Sequence, residues 1–461
     1  MSRRSLLLSG FAGVGTLLLA SCGTAPAAAP TAAPTTAPAA APTTAPAQAA
    51  QPTATAVPAA AAPAKAGQTA VTYWMTTPLK EDDAVTIPKF EKENPDIKIQ
   101  GEWLPGGGLF EKLQTSYAAG QSPDTHIVFI GWIYDFFSLG MLEPLNAFAK
   151  DTFKTDNFPD DKYVSAGSKA ITFETKLAGV PMGMQQIFMY WNQDMFKAAG
   201  IPEPDKDPNY SYDKLLEDAK KLTKGSGGKT DQWGFAAHWA YPGMDSAIIS
   251  NGGRLLSEDL KESRIDSPEN LATLQWFVDT IQLHKVSPVP TIYQDTSAAK
   301  LLLSGKIGIH FDGGWVLADI QKDPNFNGQI GMMPAGKTKR VTTFWPDSMA
   351  IASSSKVKEA GWRWLVYMTT NPAPAFYRYV VPFVRAASAD PAWLDKDRKG
   401  NKQVVLDQVK NWVPQETGSK WNEWRAKIVN SEFQAAMLGE KKPADALRAA
   451  HSQVSEILKR K

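Results

Sequence analysis

With 49 Lys and Arg against 47 Asp and Glu, the 461-residue chain carries a formal charge of only +2, which leaves no basic excess for a nucleic-acid partner. A single cysteine excludes an internal disulfide framework. The five histidines, His126, His238, His284, His310 and His451, fall in no metal-ligand spacing, and no phosphate-binding glycine loop or GxSxG elbow occurs; no cofactor is expected.

The chain opens on MSRRSLLLSGFAGVGTLLLASC. Arg3 and Arg4 precede an apolar, small-residue run from Leu6 to Leu19, short of the about 20 apolar residues a membrane span needs. The layout predicts an export signal over residues 1–21. The order Ser2-Arg3-Arg4-Ser5-Leu6-Leu7 resembles a twin-arginine signal. Leu19-Ala20-Ser21-Cys22 resembles the lipobox of bacterial lipoproteins, which implies cleavage before Cys22 and a lipid thioether on its sulfur. At about 0.8 kcal/mol per buried methylene, two or three acyl chains hold a protein to a bilayer. Residues 22–68 are mostly Ala, Pro, Thr and Gln, with no charge before Lys65 and no aromatic. Such a stretch has nothing to bury against the entropy of ordering it, and its prolines keep it extended. It reads as a tether that holds a folded domain away from the outer face of the cell membrane.

Residues 69–461 are too long for one ordinary core and predict two domains. Val71–Met75, Ile97–Gln100 and His126–Ile130 read as strands, with a helix from Leu109 to Ala119 between the last two. This strand–helix–strand order predicts an α/β sheet with parallel members. Ser211 opens a helix carrying Leu215, Leu216, Ala219 and Leu222. Ser267-Pro268-Glu269 is an N-cap followed by proline at the first helical position. Further helices are expected over Val357–Met368 and from Pro443, and strands over Lys306–Phe311, Gln329–Met333 and Met349–Ala352.

In this order of elements the chain resembles the family 1 extracellular solute-binding proteins of bacterial ABC importers. Five stretches carry the resemblance: Phe90-Glu91-Lys92-Glu93-Asn94-Pro95; Ser122-Pro123-Asp124; Leu177–Pro181 with Tyr190–Asp194; Ser304–Ile309 with Gly313-Gly314-Trp315; and Gly439–Leu447. Pro88 departs from the family pattern, so the first helix is expected to start near Ile87 or to kink there. The resemblance implies an α/β, two-lobed, type II-like periplasmic-binding-protein fold. One lobe is expected over residues 69–181 plus about 348–384, the other over about 182–347 plus 385–461. Inter-lobe crossings are expected after Gly179-Val180-Pro181, near Trp345–Ala350 and near Pro382–Arg385. It implies a monomeric, non-catalytic receptor that closes on its ligand and delivers it to the transmembrane subunits of a permease.

The residues expected at the cleft follow from the chemistry of a sugar, whose apolar face suits aromatic planes and whose hydroxyl rim suits carboxylates and amides. Trp74 and Thr76 lie at the end of the first strand, and Trp132 and Asp135 follow the third, where loops face the cleft of an open α/β sheet. Gln185 and Tyr190 lie past the first crossing. Trp239, Tyr241 and Asn251 lie where relatives place a stacking aromatic. Trp315 follows two glycines that let the backbone approach a ligand. Trp345 and Asp347 lie on the return crossing, and Arg385 on the third. Trp421 and Trp424 resemble a late family aromatic. Other solutes, glycerol phosphate or a polyamine among them, remain alternatives. So does a lipid-anchored glycoside hydrolase, with Asp135 and Asp347 as its two carboxylates.

Overall fold

The computed structural model describes residues 65–106, 108–226, 229–238, 243–370, 380–394 and 402–460. Cys22, the export signal and nearly all of the Ala/Pro/Thr stretch lie outside the described residues, as do Trp239 and Tyr241.

β1 (Thr69–Thr76) pairs in parallel with β2 (Ile97–Leu104) on one side and β3 (Thr125–Val128) on the other. Alternate residues of β1, Val71, Tyr73 and Met75, are fully buried, as the period of two of a strand requires. Helices Lys80–Glu93 and Leu109–Ala118 make the crossovers that parallel pairing needs. Two expectations are corrected here. The first helix starts at Lys80 and runs through Pro88. Proline there deprives the Ala84 carbonyl of its donor, but Ala84 and Pro88 are both exposed, so the loss falls on the solvent side of the helix. Ile130 does not end the third strand; it opens helix Ile130–Ser138.

The longest strand, β4 (Val180–Asn192), is buried at every one of its 13 positions. At its far end, beyond the neighbour it meets there, lie β5 (Lys224–Ser226) and β6 (Lys229–Ala236). That neighbour is β7 (Ile307–Gly313), antiparallel to β4 from Ile187 to Trp191 and parallel to β6. β8 (Gly328–Gly331) pairs with the end of β4. The first half of β4 pairs antiparallel with β9 (Thr342–Ile351), which continues onto β3. Short strands β10 (Val381–Pro382) and β11 (Trp412–Pro414) add to β4 and β9. The sheet order is β2-β1-β3-β9-β4-β7-β6-β5, so β4 and β9 join its two halves. β9 begins seven residues before Met349, where Pro346 and the polar Thr342, Thr343 and Asp347 hide strand character from the sequence pattern.

Helices cover both halves. Ser211 and Ser267 cap theirs by accepting from the N–H groups of Lys214 and Asn270, each at 3.2 Å, a contribution of about 1 kcal/mol apiece. In the last helix, Pro443–Lys459, the predicted stripe of Leu447, Ala450, Val454 and Ile457 is buried. Before it, Asn422–Val429 is wound as a π-helix, a form concentrated at functional sites. Trp421 leads into that turn. A Cβ on Gly131 would fall 2.2 Å from its ring, so glycine is what lets helix Ile130–Ser138 meet the C-terminal segment.

Candidate functional site

The crossing strands present two faces, and alternation assigns their side chains. Gln185 is paired with Trp345, and Gln186 with Phe344. Gly183, Gln185 and Ile187 therefore share one face of β4, with Trp345 and Asp347 beside them on β9. A register shift between Asp347 and Ser348 marks a bulge at this point, a device that re-aims side chains.

On this face Gln185 donates from Nε2 to Asp347 Oδ2 at 2.9 Å. The remaining oxygens, Gln185 Oε1 and Asp347 Oδ1, are buried without a hydrogen-bond partner among the described residues. Both residues line a cavity of about 230 Å³. Thr76 closes its edge, and Leu79, Phe129 and Met182 form an apolar wall. At Gly183 a Cβ would fall 2.5 Å from Val380, so the glycine admits Val380 to the same wall. Burial raises the Asp347 carboxyl to about 6, while the hydrogen bond from Gln185 pulls it down. A buried acceptor left unpaired costs about 1–3 kcal/mol. Two of them stand on residues lining one cavity, and the described residues supply no donor to either.

Two residues further along the same face, Ile187 lines a second cavity of about 300 Å³, with His238, Tyr293, Asp312 and Trp315 among its other walls. Trp315 is 43% exposed although it is large and apolar. Its ring lies 6.2 Å from that of Trp345, at 51°, so the two indoles are neighbours at the edge of this cavity. His310 Nε2 is hydrogen-bonded to Asp312 Oδ2 across 3.0 Å, and the His310 Nδ1 is buried without a partner among the described residues. Asp312 Oδ1 also accepts from the Gly313 N–H at 2.8 Å. Burial lowers His238 to about 4, which leaves it neutral at pH 7. Neither cavity has a Lys or Arg among its described lining residues.

The structure brings Thr76, Gln185, Trp345, Asp347 and Trp315 to one face and places the other expected residues elsewhere. Trp74 lies within β1, not at its end, and the Lys112 ammonium stands 4.4 Å over its ring. Trp132 packs on Phe129 and Phe110 at 4.8 and 5.1 Å, one layer behind the cavity wall. Asp135 accepts the Lys420 N–H at 2.5 Å, and burial raises its carboxyl to about 6. Its partner is Lys420, whereas that of Asp347 is Gln185. Tyr190 is fully buried and donates to the Gly313 carbonyl at 2.7 Å, supporting the turn that presents Trp315. Asn251 ties two loops together, donating to Thr273 Oγ1 and accepting from the Lys337 N–H. Arg385 donates to the Asp160 carbonyl at 2.7 Å on the opposite face of the crossing strands. Trp421 and Trp424 are buried, the first at the start of the π-helix and the second within it. Sequence reasoning missed Phe129, Met182, His238, Tyr293 and Asp312. Only Asp312 carried a signal, as the strand-end carboxylate beside Gly313-Gly314-Trp315.

Behind the second cavity, Arg425 and Asp245 form a buried ion pair at 2.6 Å. It fastens the π-helix to helix Gly243–Ser250, whose first residues, Gly243 and Met244, line that cavity.

Known proteins share this fold. The sequence profile of the bacterial extracellular solute-binding protein family matches residues 66–373, and the chain belongs to that family. A binding protein of Brucella abortus is 26% identical over 389 residues, spanning 80% of this chain and 88% of that one. The maltotriose-binding protein of Pyrococcus abyssi is 24% identical over 60% of this chain and 57% of its own. Among solved structures, an ABC substrate-binding protein of Listeria monocytogenes in complex with cycloalternan superposes with a TM-score of 0.77. It is 24% identical, and the match covers 86% of this chain and all of that one; the shared fold is two-lobed α/β.

Proposed function

We propose that this protein is the sugar-capturing receptor of an ABC importer, most suited to an oligosaccharide, and that it acts without catalysis. The observation that carries the reading is the pair of unpartnered buried oxygens, Gln185 Oε1 and Asp347 Oδ1, on the same strand face as the exposed indole of Trp315. Sugar hydroxyls supply the missing donors and a sugar ring covers the indole. The oligosaccharide ligands of the Pyrococcus and Listeria relatives support the same class. A phosphate ester calls for cations that the described walls do not contain, which disfavours glycerol phosphate. A hydrolase needs two carboxylates flanking one bond, whereas Asp135 and Asp347 have separate partners.

In this reading residues 69–181 plus about 348–384 form one lobe, and about 182–347 plus 385–461 the other. They hinge on β4 and β9, and ligand drives closure because it contacts both, since a ligand shifts an equilibrium only by its differential affinity. The monomeric protein works outside the cytoplasmic membrane, carried there by the signal in residues 1–21 and held by lipid on Cys22 through the 22–68 tether. A thermal-shift screen of mono- and oligosaccharides tests it. Ligand at 100 times Kd stabilises the fold by about 2.7 kcal/mol. If no sugar raises Tm while a polyamine or phosphate ester does, the reading fails; release of product from a bound oligosaccharide would make the protein an enzyme instead.

A further inference from the structure

The face of β4 and β9 opposite Gln185 carries Gln186 and Phe344. Behind it lies a cavity of about 740 Å³, a volume typical of sites for single organic molecules. One wall comes from the chain before the first crossing, with Tyr134, Lys169 and Phe173. The other comes from the C-terminal segment, with Trp412 and Gln415, and Arg385 stands at the rim.

Gln415 is the informative residue. It is only 5% exposed, yet neither its Oε1 nor its Nε2 has a hydrogen-bond partner among the described residues. A buried amide normally has both satisfied. Here the donors and the acceptor are left beside open volume. The aromatic walls are already fixed. Trp412 donates its indole N–H to Gln186 Oε1 at 2.7 Å and stacks on Phe344 at 4.5 Å and 16°. Tyr134 and Phe173 meet edge-on at 4.9 Å. These bonds lock the rings without using the cavity. The charge is one-sided: Lys169 and Arg385 line the space, and no Asp or Glu does among the described lining residues. Arg385 gives its Nε to the Asp160 carbonyl, which orients the guanidinium.

We infer that this cavity is a second ligand site, distinct from the sugar groove, and that it takes an aromatic carboxylate bearing a hydroxyl. The flat ring lies between Tyr134, Phe173 and Trp412. The carboxylate faces Lys169 and Arg385, and the hydroxyl at the other end of the ring donates to Gln415 Oε1 and accepts from Nε2. This assignment does not rest on the nature of the ligand on the other face.

Calorimetric titration of the full chain with 4-hydroxybenzoate and 4-hydroxyphenylacetate tests the inference, with the corresponding methyl esters as uncharged probes. Saturable binding of the acids is expected, at least tenfold tighter than of the esters. Lys169→Glu, a substitution at an exposed side chain, and Gln415→Leu are each expected to weaken the acids tenfold or more and to leave sugar binding unchanged. If Gln415→Leu fails to fold, Lys169→Glu alone decides. Absence of binding at millimolar acid overturns the inference. So does equal binding of acid and ester, or binding that Lys169→Glu leaves intact, or competition between the acid and the sugar on Trp315→Ala as on wild type.

Discussion

Asp347→Asn tests the proposed contact between the Asp347 carboxylate and the ligand. In the free protein burial lifts the Asp347 carboxyl to about 6. A folded-state value above the 3.8 of an unfolded chain means that the folded state binds the proton more tightly. The free protein therefore loses stability as pH rises from about 4 through 6, by up to about 3 kcal/mol for a shift of two units. A hydroxyl donated to Oδ1 reverses the preference, because it favours the ionised form. Affinity for the sugar is then full above pH 6 and falls as pH drops through that value, toward a limit of about tenfold per unit. A hydrogen bond to a charged group contributes about 1.5–3 kcal/mol against about 0.5–1.5 for a neutral one. Asp347→Asn should therefore weaken binding about tenfold at pH 8, flatten the profile between pH 5 and 8, and raise the Tm of the free protein at pH 8. Calorimetric titrations at pH 5, 6, 7 and 8 on both proteins give all the required affinities. Equal affinities with equal pH slopes would refute the placement of Asp347 against the ligand.

Trp315→Ala removes an indole that is 43% exposed and supports little of the core. Stacked rings contribute about 0.5–1.5 kcal/mol each beyond area, so affinity should fall at least threefold with Tm nearly unchanged; the opposite pattern, lost Tm and kept affinity, would make Trp315 a packing residue. Asp83 is buried against Tyr73 and Trp103, whose OH and Nε1 donate to it, and burial raises it to about 7. Its contribution is favourable at low pH and lost as pH rises, roughly 2–3 kcal/mol between pH 5 and 8; denaturant melts of Asp83→Asn should show that slope removed, and an unchanged slope would contradict it. Arg425→Met strands the buried Asp245 carboxylate and should cost about 3–5 kcal/mol, much of it recovered in the double variant with Asp245→Met; additive losses in urea melts would deny the coupling.

Much of the fold was legible because it is local. Caps such as Ser211 and Ser267, and stripes such as Leu447 to Ile457, are set by a few neighbouring residues. The site was legible in part. Gln185 stood out as a polar residue in an apolar stretch and Asp347 as a carboxylate on the return crossing, but their meeting depends on the β4–β9 register and a bulge that no single stretch encodes. Parity along β4 separates Tyr190 from Gln185, yet only the packed molecule says which face stays open. Trp74 shares its face with Thr76, and it is Lys112, from a separate helix, that covers it. Phe129 and Met182 read as core, because an apolar cavity wall has no sequence signature apart from that of a core.

The most direct test is a crystal structure of the protein grown with the sugar that raises its Tm most. The account predicts the ligand along the Gln185 face of β4, with hydroxyls on Gln185 Oε1 and Asp347 Oδ1 and a ring against Trp315. A sugar seated instead behind Phe344 and Trp412, or one that leaves both of those oxygens without a partner, would contradict it.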